Sequence, residues 1–375
     1  MLAVKTGLLG FFVILARALY SVFKLLPVRD KVTFISRGQN WTSNDFALLA
    51  ERIRAESPST RIVILNHPVN PKVVYPVKVC SEMFHVATSR AVVVDTYNIV
   101  VSVFRHKEGL RVVQIWHALG AFKAFGLMAL DTPEGSSRQI ASVMRMHRNY
   151  TYVTSASEAT AAIFQRCFGV AKNQMLIAGS PRVDYLTDRD RQSAQRHALR
   201  LKYGIDDERD VVLFTPTFRK GRAIPLHELV DAFDFNRYAL VVRVHPLDTL
   251  TATNDSRIIV PDEREGIDLL ALADHLVTDY SAIAFEATLL DIPLYFWAFD
   301  LEHYSVDRGF AMDFVAEAPG PIVSSAQQVV EEIARGGDFG AKYAQFKSTY
   351  IETLGFNNSE RIVNTILGDQ RAKTF

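Results

Sequence analysis

Five short segments of the chain concentrate side chains able to move protons or hold anions. The first is Trp116-His117, which ends the strand-like run Gln114-Ile115 and leads through Ala118-Leu119-Gly120-Ala121-Phe122 to Lys123 and Gly126. An imidazole titrates near neutrality, so His117 suits removal of a proton from a hydroxyl. A core histidine satisfied by backbone fits this stretch equally well. The second segment, Gly179-Ser180-Pro181-Arg182-Val183-Asp184, reads first as a turn in which Arg182 and Asp184 pair with each other. Phe214-Thr215-Pro216-Thr217-Phe218-Arg219-Lys220 and Arg243-Val244-His245-Pro246 share a design, a strand ending in cations. The guanidinium of Arg219 or Arg243 offers a planar fork suited to phosphate oxygens, and His245 can donate to a bridging or leaving oxygen; surface ion pairing is the competing reading. The fifth, Thr278-Asp279-Tyr280-Ser281, runs into the helical Ala282–Leu290. Ser281 stands where a helix N-cap is expected, and the amides there make an anion site or an ordinary serine cap. Glu286, one turn on, is placed to accept from ribose hydroxyls or to be a surface charge.

Positioning such groups requires strand ends. Val32–Ser36, Arg61–Leu65, Ala91–Asp95, Arg111–Trp116, Tyr150–Thr154 and Gln174–Ala178 read as buried strands, separated by stretches with apolar residues at helical spacing. A second series comprises Val211–Thr215, Ala239–Val244, Arg257–Val260, His275–Asp279 and Leu294–Trp297. Alternating strand and helix predicts α/β architecture with parallel sheets. Two such series predict two Rossmann-like, doubly wound domains facing across a cleft, with ligands at the carboxyl ends of the strands. The expected divisions are 1–27, 28–188, 189–341, and a helical 342–375 returning to brace the first domain.

The 375 residues carry 42 Lys+Arg against 41 Asp+Glu, so no global field favours nucleic acid and anion sites must be local. Cys80 and Cys167 match no metal-ligand spacing and suggest a reducing compartment. No acidic cluster with magnesium-ligand spacing stands out, and no metal or other cofactor is expected. Residues 7–27 are mostly apolar but include Arg17 and Lys24. A mid-segment arginine costs about 2.5–3.5 kcal/mol on insertion, and no cleavage site of small residues follows. With Arg17, Ser21 and Lys24 on one stripe, the segment predicts an amphipathic helix in a membrane interface. The other reading is a first helix packed on the protein's own core.

Taken together, these segments resemble the CDP-glycerol:poly(glycerophosphate) glycerophosphotransferase family of wall teichoic acid synthesis. The resemblance spans Phe34 to the C-terminus in family order. It adds Phe299-Asp300-Leu301-Glu302-x-Tyr304, Arg308-Gly309-Phe310 and Pro319-Gly320-Pro321 to the five segments. It implies a GT-B fold, a CDP-glycerol or CDP-ribitol donor, a lipid-linked glycan acceptor, and metal-independent transfer at the cytoplasmic membrane face. By position, His117 resembles the family's base, with His245 as its catalytic partner and Trp116 and Lys123 toward the acceptor. Arg182, Thr217, Arg219, Arg243, Asp279, Tyr280, Ser281 and Glu286 fall toward the donor. Two departures stand out: Ala118-Leu119-Gly120 replaces the usual Gly-Thr-Pro, and Ala282 replaces a second serine. Two rival readings remain at this stage, a UDP-sugar transferase or epimerase of the same fold and a non-catalytic membrane scaffold.

Overall fold

Runs rich in valine, isoleucine and phenylalanine form the strands, because β-branched and aromatic side chains suit a pleated surface covered on both faces. The computed structural model describes residues 2–37, 40–67, 75–219, 223–243, 255–337, 339–351 and 357–368, without the side chains of residues 2–6, 8 and 9. In it the chain divides into two compact units. The first comprises Met1–His117, Phe125–Asp184 and Thr353–Phe375; the second comprises Ala118–Ala124 and Tyr185–Glu352.

The first unit holds β1 (Arg29–Arg37), β2 (Arg61–His67), β3 (Ser89–Val94), β4 (Arg111–Gln114), β5 (Tyr152–Ser155) and β6 (Met175–Ile177). They form one parallel sheet in the order β2-β1-β3-β4-β5-β6. The order reverses between β1 and β3, and the carboxyl ends there are where such a sheet receives ligands. Val32 and Phe34 of β1 and Val93 of β3 pack with α2 (Asn44–Glu56) and with the helix Asn358–Leu367. The opposite face carries α3 (Tyr75–Ala87), whose end meets Lys31 and Thr33 through His85, Thr88 and Ser89. α1 (Leu2–Phe23) lies beside α3: Phe23 meets Phe84 edge-on at 6.1 Å, and buried Tyr20 stacks on Phe104 at 4.9 Å and bonds His106 at 2.7 Å. Phe104 follows α4 (Ile99–Val103), and α5 (Arg138–Val143) completes this side.

The second unit holds β7 (Asp210–Thr215), β8 (Tyr238–Val242), β9 (Ile258–Ile259), β10 (His275–Thr278), β11 (Leu294–Trp297) and β12 (Ile322–Val323). Their order is β12-β11-β10-β7-β8-β9, all parallel, with the reversal between β7 and β10. Leu229 and Val230 of the helix Leu226–Ala232 and Val329 and Ile333 of the helix Ala326–Arg335 cover one face. Elsewhere in the unit Phe122, Phe285, Phe346 and Tyr350 form an aromatic cluster with neighbouring rings 4.8 to 6.2 Å apart.

The expected parallel α/β architecture is present in both units, and the departures are local. β4 stops at Gln114 rather than Trp116, because Trp116 takes a left-handed φ of 55° and leaves the strand. The two-residue β12 is too short to leave a periodic signal. The C-terminal stretch expected as one helix is two, Gly340–Tyr350 in the second unit and Asn358–Leu367 in the first. Lys220 and His245 lie outside the described residues.

Candidate active site

In the first unit, polar side chains collect where β1, β3 and β4 end. After Gln114 the chain turns sharply: the Trp116 amide donates to Gln114 Oε1 at 2.8 Å, and the Trp116 ring stacks on Phe125 with centroids 4.4 Å apart. That turn places the His117 ring against Trp116, 4.0 Å between centroids, and leaves His117 exposed. Nδ1 of His117 lies 3.0 Å from the carbonyl oxygen of Asp95, one residue past β3. A carbonyl only accepts, so Nδ1 carries the proton and Nε2 is the basic nitrogen of the neutral ring.

The sequence reading did not single out Asp95. Its side chain is buried, and burial pushes the carboxyl up to about 7; the nearby Ser36 hydroxyl opposes this, and the charge of Asp45 adds to it. The signal was an acidic residue directly after the apolar run Ala91–Val94. Arg37, at the end of β1, was likewise passed over: its amide donates to Thr96 Oγ1 at 3.3 Å, and its guanidinium lies over Tyr75 at 5.8 Å.

Arg182 and Asp184 do not pair, and Arg182 is not part of a donor site in the second unit. Arg182 is buried in the first unit and ion-pairs with Asp45 of α2. Asp184 accepts from the Asn358 and Ser359 amides at 3.0 and 2.7 Å and so caps the helix Asn358–Leu367. Gly179 has φ +77°, and a Cβ there would come within 1.8 Å of Asn358 Oδ1. The Gly-x-Pro-Arg-x-Asp pattern thus fastens this helix to the sheet.

In the second unit, the ends of β7 and β10 meet in a dense buried network. Asp279 accepts from the Thr217 amide at 3.0 and 2.9 Å and from the Tyr280 amide at 2.6 Å. Arg219 gives Nη1 to Asp279 Oδ2 at 2.7 Å and to the Thr217 carbonyl at 2.8 Å. Its Nε and Nη2 reach the two oxygens of Asp300 at 2.6 and 2.9 Å, and its plane lies over Phe299 at 4.5 Å. Tyr280 donates to Asp300 Oδ1 at 3.0 Å and stacks on Tyr304 at 4.1 Å. Burial pulls the Arg219 pKa down, but Asp279 and Asp300 more than offset this and hold it above its ordinary value. The fork expected to grip donor phosphate therefore grips two carboxylates, because a guanidinium this deeply buried needs counter-charges. Asp300 had been noted only as part of a pattern.

Three further expectations change. Arg243 is not a phosphate fork: Nη1 bonds the Glu263 carbonyl and Nη2 the Arg264 carbonyl, the latter at 2.8 Å. Ser281 is not the N-cap; the helix begins at Ile283 with Ala282 as cap and no side-chain bond, while the Ser281 carbonyl accepts from Ala284 at 3.3 Å. Glu286 is no surface charge. It is 1 % exposed and Oε1 accepts the Leu119 amide at 3.1 Å. The departure at Ala118-Leu119-Gly120 has a packing reason, since a Cβ on Gly120 would fall 2.2 Å from the Phe285 ring. Lys123 is half-buried and its backbone pairs antiparallel with Phe310. Thr217, Arg219, Asp279 and Tyr280 are thus brought together, whereas Arg243 and Glu286 are engaged elsewhere in the same unit.

The chain is similar to known proteins along most of its length. The sequence profile of the family described as CDP-Glycerol:Poly(glycerophosphate) glycerophosphotransferase matches residues 18–368. The teichoic acid ribitol-phosphate primase of Bacillus spizizenii (strain W23) is 30% identical over 359 residues, 91% of this chain and 92% of that protein. The teichoic acid glycerol-phosphate primase of the same strain is 29% identical over 279 residues, 72% of this chain and 70% of that one. The solved structure of the wall teichoic acid polymerase TagF superposes with a TM-score of 0.76 at 20% identity, covering 98% of both chains.

Proposed function

The chain belongs to the CDP-glycerol:poly(glycerophosphate) glycerophosphotransferase family, and from that premise we propose that it transfers glycerol phosphate or ribitol phosphate from a CDP-activated donor to a lipid-linked teichoic-acid-type acceptor, releasing CMP. The observation that carries the mechanism is the His117 ring, exposed at a strand end with Nδ1 spent on a carbonyl. Nε2 takes the proton of the acceptor hydroxyl as that oxygen attacks the β-phosphorus of the donor. The bond from phosphorus to the bridging oxygen breaks, and CMP carries that oxygen away. The Asp279–Arg219–Asp300 network fixes the loops after β7 and β10, from which main-chain amides and Ser281 meet the diphosphate. His245 stays in this reading as the donor-side imidazole. Catalysis of this kind rests on positioning and electrostatics. Main-chain amides, Ser281 and the His245 imidazole supply the stabilisation in this reading, which expects no metal.

The acceptor's lipid anchor places the work at the cytoplasmic face of the membrane, with the chain bound peripherally. No helix among the described residues is long and apolar enough to cross a membrane. α1 supports the peripheral reading. Its Val13–Tyr20 face is seated on the first unit, while Phe11, Phe12, Ile14, Leu15, Leu19 and Val22 are exposed. At about 100° per residue Arg17 and Lys24 fall together on one edge of the seated face, so the exposed apolar face opposite is the one that meets the membrane.

The test is a mass measurement of a lipid-linked disaccharide acceptor after incubation with CDP-glycerol, CDP-ribitol or a UDP-sugar. A gain of one or more polyol phosphate units, with CMP released, is expected. Transfer of a sugar, or no transfer from either CDP-polyol, would overturn the reading. Substituting Phe12→Gln with Leu15→Gln should lower membrane recovery while a water-soluble acceptor analogue is still extended. Unchanged recovery would remove α1 from the membrane contact.

A further inference from the structure

The turn after α5 is unusually built. Arg145, His147 and Asn149 adopt left-handed φ of 46°, 59° and 70°, conformations costly for residues with a Cβ and concentrated where a site requires them. The turn is held regardless. Asn149 Nδ2 donates to the carbonyls of Val101, Ser102 and Phe104 at 2.9, 3.1 and 2.8 Å, and His147 Nδ1 meets the Tyr150 hydroxyl at 3.0 Å. The result presents Arg145 and Arg148 to solvent. Neither they nor Arg17 and Arg105 ion-pair with any described residue. A hollow of about 540 Å³ separates this turn from α1, lined among others by Gly7, Gly10, Val13, Arg17, Ser142 and Arg145. Arg145 also lines a second hollow of about 420 Å³ with Arg105, His106 and Asn149. Burial lowers the His106 pKa first, and the charges of Lys24 and Arg145 lower it further, as expected where cations crowd without counter-ions.

The glycines sharpen the point. Each glycine inside a helix costs about 1 kcal/mol relative to alanine. A Cβ on Gly7 or Gly10 would meet nothing within 4 Å, so packing within the described residues does not demand glycine. Their small size instead keeps the hollow open beside Phe11 and Ile14, which line it and are exposed. Unpaired arginines on two walls and apolar side chains at the rim match one chemistry, an anionic headgroup joined to acyl chains.

We propose that the hollow between α1 and the turn after α5 docks the phosphate of an anionic phospholipid, held by Arg17 and Arg145 with the acyl chains along Phe11 and Ile14. The inference rests on the peripheral-membrane reading and adds a defined headgroup site to it. A diffuse basic surface would feel only the number of charges, whereas a fork on one phosphate depends on guanidinium geometry.

Flotation of the full chain with vesicles of phosphatidylcholine alone, and of phosphatidylcholine with about 30 % phosphatidylglycerol, tests it. Arg145→Gln should weaken binding to the anionic vesicles about fivefold, the worth of one arginine at such a surface, and leave binding to neutral vesicles unchanged. Arg145→Lys should fail to restore it, and Gly10→Gln, which fills the hollow at constant charge, should weaken it too. Arg54→Gln on α2, across the sheet from α3, is the equal-charge control and should bind as wild type; thermal melts confirm that each variant is folded. The headgroup site is overturned if Arg145→Lys binds like wild type, if Gly10→Gln has no effect, or if Arg54→Gln loses as much as Arg145→Gln. Wild type that binds both vesicles equally also overturns the site and leaves the membrane reading standing. Wild type that binds neither overturns both.

Discussion

Because a backbone carbonyl can only accept, the bond from His117 to Asp95 puts the proton of the neutral ring on Nδ1. His117→Ala should therefore cut transfer by about 10²–10⁴-fold while CDP-glycerol binding, followed by calorimetry, stays near wild type. A matching loss of donor affinity would move His117 to the donor. In the wild type kcat/KM should fall on the acid side, since a protonated Nε2 cannot take the acceptor proton. Arg219 calls for a different measurement. Its removal strands Asp279 and Asp300, which are 1% and 7% exposed. Breaking a buried pair in this way costs about 3–5 kcal/mol. Arg219→Ala should lower the unfolding free energy read from urea titration by that much, with a matching fall in the midpoint, and Arg219→Lys, which cannot span both carboxylates, should recover only part. An unchanged midpoint with lost donor affinity would restore Arg219 to direct phosphate contact.

Elements carry their own tests. The helix Asn358–Leu367 belongs to the first unit through Ile362, Val363 and Ile366 in the core and through Asp184 at its start. Gly179→Ala puts a Cβ onto Asn358 and forces a left-handed residue, which costs about 1–2 kcal/mol from the backbone alone. Protease cleavage near residue 357 should rise accordingly; equal protection would mean the helix start has another anchor. On α3, burial pushes the Glu82 carboxyl up to about 7, against the hydrogen bond from Asn98 and the charge of Arg37. An acid whose folded pKa exceeds its ordinary value keeps its proton in the native state while the unfolded chain has lost it. Stability therefore falls as pH rises from about 4.5 toward 7 and levels off above. Glu82→Gln should flatten the decline in Tm between pH 5 and 8, leaving the part due to Asp95, which titrates in the same window. A slope identical to wild type would contradict the assignment to Glu82.

At the scale of the whole molecule, a net charge of +1 leaves no long-range attraction for a nucleotide diphosphate. Affinity has to come from local donors in the strand-end loops of each sheet. Among the described residues no group of three or more His, Cys, Asp or Glu is placed to hold a metal ion. Transfer in the presence of EDTA should proceed at the wild-type rate, whereas loss of turnover restored by magnesium would require a bound cation. A CDP-polyol at about one hundred times its dissociation constant should stabilise the chain by about 2.7 kcal/mol. A UDP-sugar that gave the larger Tm increase would favour the sugar-transferring alternative.

Strand-forming runs, their parallel pairing and the gathering of polar residues after strands were all legible in the sequence, because period and composition are local properties and a buried parallel strand is apolar along its length. The order of the segments also carried the family. What each polar side chain does was not legible, because that depends on what lies opposite it from far along the chain. Arg219 meets Asp300 across 81 positions, Arg182 meets Asp45 across 137, and Glu286 meets Leu119 across 167. A lone arginine after a strand looks the same whether a phosphate or a buried carboxylate awaits it. Only the tertiary structure supplies the counter-charge and the depth of burial, and those two quantities decide between holding a ligand and holding the fold.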